Sequence, residues 1–128
     1  NKVISVGKLN DEKLLALLYS AADIMVVPSK IESFGQTASE AQACGVPVVA
    51  FNATGLKDVI KHKQTGFLAK PYNWEEIYEG IVWLLNNEKQ LKTIKTSSRK
   101  RAESLWNPNL ISTQYYDIYK KVLNYNNF

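Results

Sequence analysis

Glu32 and Glu40 bracket a short run, Ser33, Phe34, Gly35, Gln36 and Thr37, that has the means to hold both a polyol and an anion. An ionised carboxylate only accepts hydrogen bonds, so its natural partners are hydroxyl and amide donors. Each hydrogen bond to a charged group is worth about 1.5 to 3 kcal/mol, enough for two anchors to discriminate among sugars. On one continuous helix, eight residues would turn the two glutamates about 80° apart and separate them by about 12 Å along the axis. They share a small ligand only if Glu32 lies on a loop and Glu40 on the helix that follows. The free amides of such a helix start, near Gly35, Gln36 and Thr37, attract phosphate. A sugar joined to a phosphate is the ligand class implied.

The flanking residues supply such a loop and helix. IMVV at 24–27 and VPVVAF at 46–51 are short, β-rich apolar runs, as expected of strands covered on both faces. Between them Gly35 permits a tight entry, QTASEAQAC has helix-tolerant composition, and Gly45 suits a left-handed end cap. The unit reads as strand, helix, parallel strand. Ligands of open α/β sheets bind at the carboxyl ends of the strands, where the loop from Pro28 to Gly35 lies.

Upstream, KVISVG reads as a strand and LNDEKLLALLYSAAD as a helix, capped by Asn10 or Asp11, with an apolar stripe of Leu14, Leu17, Leu18 and Ala21. Downstream, NATG is a loop, LKDVIKHK a short amphipathic helix, QTG a turn and FLA a final edge strand. From Pro71 the pattern turns helical. Asn73 with Glu76 resembles a capping box opening a helix to about Asn86; a second runs from about Lys89 to Ser104; and Asn107-Pro108 precedes a third carrying Ile111, Tyr115, Ile118, Tyr119 and Val122. The fold expected is α/β: a Rossmann-like parallel sheet of about four strands with flanking helices and a helical C-terminal third packed on it. Residues 1–128 form one domain, with the helical flank beginning at about residue 73.

Composition narrows the function classes. With 45% hydrophobic and 22% charged residues the chain is globular rather than disordered, and no apolar run approaches the roughly 18 residues of a membrane-spanning helix. Cys44 is the lone cysteine, which fits a cytoplasmic setting and a packing role. The formal charge of +4 suits an anionic ligand or the inner face of a membrane. His62 has no cluster of ligating residues around it in sequence and reads as an exposed helix end. Lys92, Lys95, Arg99, Lys100 and Arg101 form a basic run that reads as a solvated face, with peripheral membrane contact as its functional alternative and no nucleic-acid module around it. Trp83, Trp106, Tyr115 and Tyr119 read as packing for the helical flank.

The composite IESFGQTASEAQACGVPVVAF resembles the signature of group 1, family 4 glycosyltransferases of the GT-B fold. VISVGKLNDEKLLALLYSAADIMVVPS before it and TGLKDVIKHKQTGFLAKPYN after it extend the resemblance over most of the chain. That resemblance implies a partial GT-B C-terminal domain, the donor half of a retaining enzyme that moves a sugar from a UDP- or GDP-sugar to a glycan or lipid-linked acceptor, as in polysaccharide or glycolipid biosynthesis. Glu32 is then the candidate catalytic residue, positioned near the anomeric centre. Ser33, Phe34, Gly35, Gln36 and Thr37 face the sugar and diphosphate, Glu40 holds the ribose hydroxyls, and no metal or other cofactor is expected. Asp58 occupies an acidic position common in the family. The family's two first strand-helix units, with their phosphate-neutralising basic residues, and its acceptor domain have no matching positions here. In the strand order 3-2-1-4-5-6 the family's first strand lies between the two that KVISVG and IMVV would form. KVISVG is therefore expected either to pair directly beside IMVV or to leave a gap that self-association fills, and the chain is expected to be inactive by itself. A non-catalytic binding module and a nucleotide-sugar epimerase of the same fold are the alternatives.

Overall fold

The computed structural model describes residues 2–125. Its elements are α1 (Glu12–Ser20), β1 (Met25–Val27), α2 (Gln36–Ala43), β2 (Val48–Phe51), α3 (Leu56–Val59), β3 (Gly66–Ala69), α4 (Trp74–Leu85), α5 (Glu88–Trp106) and α6 (Pro108–Tyr125). The strands form one parallel sheet in the order β1-β2-β3, with Val26 opposite Val49 and Val49 opposite Phe67. All four residues of the central strand are fully buried, as expected of a parallel strand covered on both faces. Period-two alternation divides them. Val48 and Ala50 pack with Val27, Ala38, Ala41, Leu56 and Val59, while Val49 and Phe51 pack with Phe67, Ile77, Leu84 and Ile94.

Beneath the sheet, at the amino end of β3, a buried polar tie joins three elements. The Gln42 side-chain amide of α2 donates to Thr65 Oγ1 at 3.2 Å, and Ser98 Oγ of α5 donates to the Thr65 carbonyl at 3.0 Å. Among the described residues Gln42 Oε1 has no partner; the groups that are paired would each cost about 1 to 3 kcal/mol if left bare, so the tie holds α5 against the Thr65 turn.

Two expectations are corrected. KVISVG is not a strand, and the sheet among the described residues has three strands rather than about four. β propensity makes a strand only where a neighbour takes up its amides and carbonyls. Residues 2–7 do not run along the open edge of β1, and Val3 and Ile4 are left 91% and 72% exposed. The stripe of α1 follows suit: Leu14, Leu17 and Leu18 face solvent, although Asp11 caps the helix as expected by accepting from the Lys13 and Leu14 amides.

The helical third is present, but only α4 and α5 pack on the sheet. Asn73 and Asn87 cap these helices through the amides of Glu76 and Gln90. Asn107, in an extended conformation, turns the chain before Pro108, and α6 leaves the body with Ile111 half-buried and residues 112–124 exposed. Tyr115 and Tyr119 do not pack the flank. Their rings sit 6.4 Å from each other and remain exposed.

His62 lies beside β3 and not in a site: its Nδ1 accepts the Leu68 amide at 3.0 Å and its ring rests 4.7 Å from that of Phe67. Partial burial, helped by the Lys63 charge, pushes its pKa below the ordinary 6.5. Near and below that value the unfolded chain therefore binds more protons than the folded one, and stability falls as pH drops. Urea midpoints should decline from about pH 7.5 to about pH 5.5, and less steeply in His62→Gln. Identical slopes in the two proteins would contradict this assignment.

Candidate functional site

The strands are parallel, so the loop after β1 and the loop after β2 emerge at the same end of the sheet. They are bonded to each other through the Glu32 backbone, which meets one side chain and one amide of the second loop. The Glu32 amide donates to Thr54 Oγ1 at 2.8 Å, and the Gly55 amide donates to the Glu32 carbonyl at 3.0 Å. Gly55 is pressed so closely against the first loop that an added Cβ would lie 2.5 Å from the Ser33 carbonyl oxygen and 2.6 Å from Phe34 Cα. Glu32 is thus fixed by its main chain, while its half-buried carboxylate has no hydrogen bond or ion pair among the described residues.

The rest of the loop is held from below. Half-exposed Phe34 meets the edge of Trp106, the last residue of α5, at 6.0 Å between ring centroids. Gly35 caps α2 with φ of 87°, a left-handed conformation that glycine adopts without penalty, and a Cβ there would meet Leu56 Cδ2 at 2.9 Å. With no side-chain cap on α2, the first amides, from Gln36 and Thr37 onward, are free to receive an acceptor. Ser33, Gln36 and Thr37 are exposed around this helix start.

One turn further along, Glu40 is oriented by two side chains. Tyr19 Oη donates to Oε2 and Gln36 Nε2 to Oε1, both at 3.2 Å. A carboxylate offers about four lone-pair sites, so each oxygen keeps one for a ligand. Partial burial first, and the adjacent Glu40 charge second, push the Tyr19 phenol up to about 12, which keeps it a donor. Glu40 stands on a ridge between two hollows. The larger, about 400 Å³, is lined by Gln36, Ser39, Arg99 and Trp106, and the smaller, about 270 Å³, by Glu12, Tyr19 and Cys44. Glu32 lines neither. The structure therefore brings Gln36 and Glu40 together, sets the Ser33 to Thr37 run at the helix start above them, and leaves Glu32 on a separate edge of the same sheet end.

Three contributors escaped the sequence reading. Tyr19 lies on α1, 21 residues before the carboxylate it orients, with no local pattern to mark it. Thr54 and Gly55 carried a faint signal, because a TG pair in a loop after a buried strand marks a tight backbone approach. Asp58 contributes its backbone, the carbonyl accepting from Arg101 at 2.8 Å.

A parallel three-stranded sheet with helices packed on it is a Rossmann-like arrangement. The model of the family "Glycosyl transferases group 1" matches residues 1–101, and the chain belongs to that family as a GT-B type C-terminal domain. A capsular polysaccharide biosynthesis glycosyltransferase of Staphylococcus aureus, CapM, is 33% identical over 105 residues, covering 82% of this chain and 28% of its own length. Among solved structures, sucrose-phosphate synthase from Thermosynechococcus elongatus is 34% identical at a TM-score of 0.85, covering 93% of this chain and 30% of the other. Anabaena HepE, solved in complex with UDP-glucose, is 28% identical at a TM-score of 0.75, with coverages of 81% and 29%. The chain spans less than a third of the length of the curated relatives it matches.

Two outcomes follow from the geometry alone. Gly55→Ala places a methyl against backbone that cannot yield locally, so thermal or urea denaturation should show a loss of about 1 to 3 kcal/mol; a variant as stable as the parent would contradict the close approach. In Glu40→Gln, the Tyr19 phenol followed by NMR should titrate below its value of about 12 yet above 10, since burial, the larger cause, remains. An unchanged titration would place Glu40 away from Tyr19.

Proposed function

We propose that this domain forms the donor side of a retaining glycosyltransferase that takes a nucleotide-sugar, with Glu40 gripping the ribose hydroxyls. The observation that carries this reading is the preset Glu40 carboxylate: two donors fix its orientation while one lone pair on each oxygen stays free, the arrangement that suits adjacent hydroxyls of a ribose. One turn before it, the uncapped amides of Gln36 and Thr37 receive the diphosphate at the positive end of α2. The bound UDP-glucose of HepE supports a UDP-sugar as the donor, and the name of CapM supports a growing polysaccharide as the acceptor.

Glu32 then faces the sugar. Its backbone clamp to Thr54 and Gly55 sets where the carboxylate stands, so it acts by positioning and by stabilising positive charge that develops at the anomeric carbon. Ser33 and Phe34 line the approach to the sugar, and the acceptor enters from a separate domain. The positive end of α2 counters part of the diphosphate's charge, and the reading requires no metal.

Calorimetric titration of UDP, GDP and their glucose conjugates into the protein and into Glu40→Ala tests the reading. Losing the hydrogen bonds from both Glu40 oxygens to the ribose should weaken nucleotide binding by at least about 10- to 100-fold, the loss expected of a single bond to a charged group. Equal affinities in the two proteins would remove Glu40 from the ribose site.

A further inference from the structure

The basic run of α5 does not stay together in three dimensions. Lys95 Nζ binds Asp23 at 3.0 Å, and the Arg99 side chain pairs with Glu103 and donates to the Ala43 carbonyl. Arg101 donates to the backbone carbonyls of Val59 and Asp58, which leaves its charge uncancelled. Lys92 and Lys100 remain free, and they fall on a stripe with Lys89, Thr93, Thr96, Ser97 and Ser104, at spacings of three and four residues along one face of the helix. The opposite stripe, Ile94, Ser98 and Ala102, is buried.

Lys61 and Lys63, in the turn leading into β3, extend this face sideways. The turn is anchored by Thr65, whose Oγ1 accepts the Lys61 amide at 3.0 Å and whose carbonyl accepts from Ser98. A hollow of about 450 Å³ lies between the turn and α5, lined by Lys61, Lys63, Thr93, Ser97 and Arg101 among others. A second, of about 410 Å³, adjoins it along Lys89, Lys92, Thr96 and Lys100, sharing Thr93 and Ser97 with the first. No carboxylate lines either hollow, and Lys61, Lys63, Lys89, Lys92 and Lys100 form no ion pair among the described residues. Thr65 directly precedes β3, so the Lys61–Lys63 part of this face lies at the amino end of the sheet, while the far end of α5 reaches the Phe34 loop through Trp106.

We propose that this face is a docking surface for an anionic phospholipid membrane. A stripe running along a helix of about 28 Å, widened by lysines from a neighbouring turn, spreads its cations over a plane and not around one small ligand. Clusters of four to eight lysines and arginines on such a surface recognise anionic headgroups, and half-exposed Leu85 adds an apolar edge just before α5. Because the apolar side of α5 is committed to the core, the contact is electrostatic, peripheral and reversible. It places the Lys61–Lys63 turn and the outer stripe of α5 on the lipid, and none of Glu32, Gly35 or Glu40 lines either hollow. The inference does not depend on the nucleotide-sugar reading, since neither hollow contains a residue assigned to the donor.

Sedimentation with vesicles of phosphatidylcholine, with and without phosphatidylglycerol, tests it. The protein should bind only the anionic vesicles, and a tenfold rise in salt, which shortens screening lengths about threefold, should release it. Lys92→Glu with Lys100→Glu should weaken partitioning by at least about tenfold, with circular dichroism unchanged, while the charge-matched pair Lys8→Glu and Lys13→Glu should leave it close to the parent. Absence of binding to anionic vesicles would overturn the proposal, as would equal losses in the two charge-matched pairs. Binding to soluble heparin through Lys92 and Lys100 without vesicle binding would also overturn it, assigning the face to an anionic polysaccharide.

Discussion

Everything at the functional end of this domain hangs on the burial of β2. Val48, Val49, Ala50 and Phe51 have no exposure, and their alternating side chains anchor one apolar cluster on each side of the sheet. At about 25 cal/mol per Å² of apolar area removed from water, a strand buried on both faces is where such a small domain concentrates its stability. The strand's carboxyl end then delivers Thr54 and Gly55 to the Glu32 loop with backbone precision. Cohesion and site geometry are one continuous structure there.

The site divides its electrostatics between side chains and main chain. Glu40 is a charge oriented by other side chains, and its partner Tyr19 is kept protonated by burial and by that same charge. The start of α2 works through peptide dipoles, which need a glycine at Gly35 because the chain enters the helix in the left-handed region. Glu32 is neither paired nor hydrogen-bonded through its carboxylate among the described residues, so its position is dictated by the loop alone. Both oxygens of such a carboxylate keep their acceptor capacity.

Much of this was legible in the sequence because the governing signals are local. The continuous apolar runs around Val26 and Val49 marked parallel strands, Gly35 and Gly45 bounded α2, and Asn73 announced α4. The N-terminal segment misled for a physical reason: β propensity in KVISVG describes what the residues tolerate, whereas a strand also needs a neighbour. Likewise the apolar stripes of α1 and α6 are genuine, yet Leu17 and Tyr119 are 66% and 63% exposed, because periodicity shows which face seeks cover and not whether cover is present. Contacts between distant segments, Tyr19 to Glu40 and Gly55 to Ser33, were invisible since only the fold brings them together. The basic run on α5 was visible as composition, but which of its charges are cancelled depended on Asp23 and Glu103 in space.

The central claim is that Glu40 is a preset acceptor for a ribose, and the most direct measurement is a crystal structure of the protein with UDP-glucose bound. The account predicts both Glu40 oxygens within about 3.2 Å of the ribose hydroxyls, with the Tyr19 contact retained and phosphate oxygens at the Gln36 and Thr37 amides. A nucleotide bound with its ribose away from Glu40, or a Glu40 side chain released from Tyr19 to a different rotamer, would contradict it.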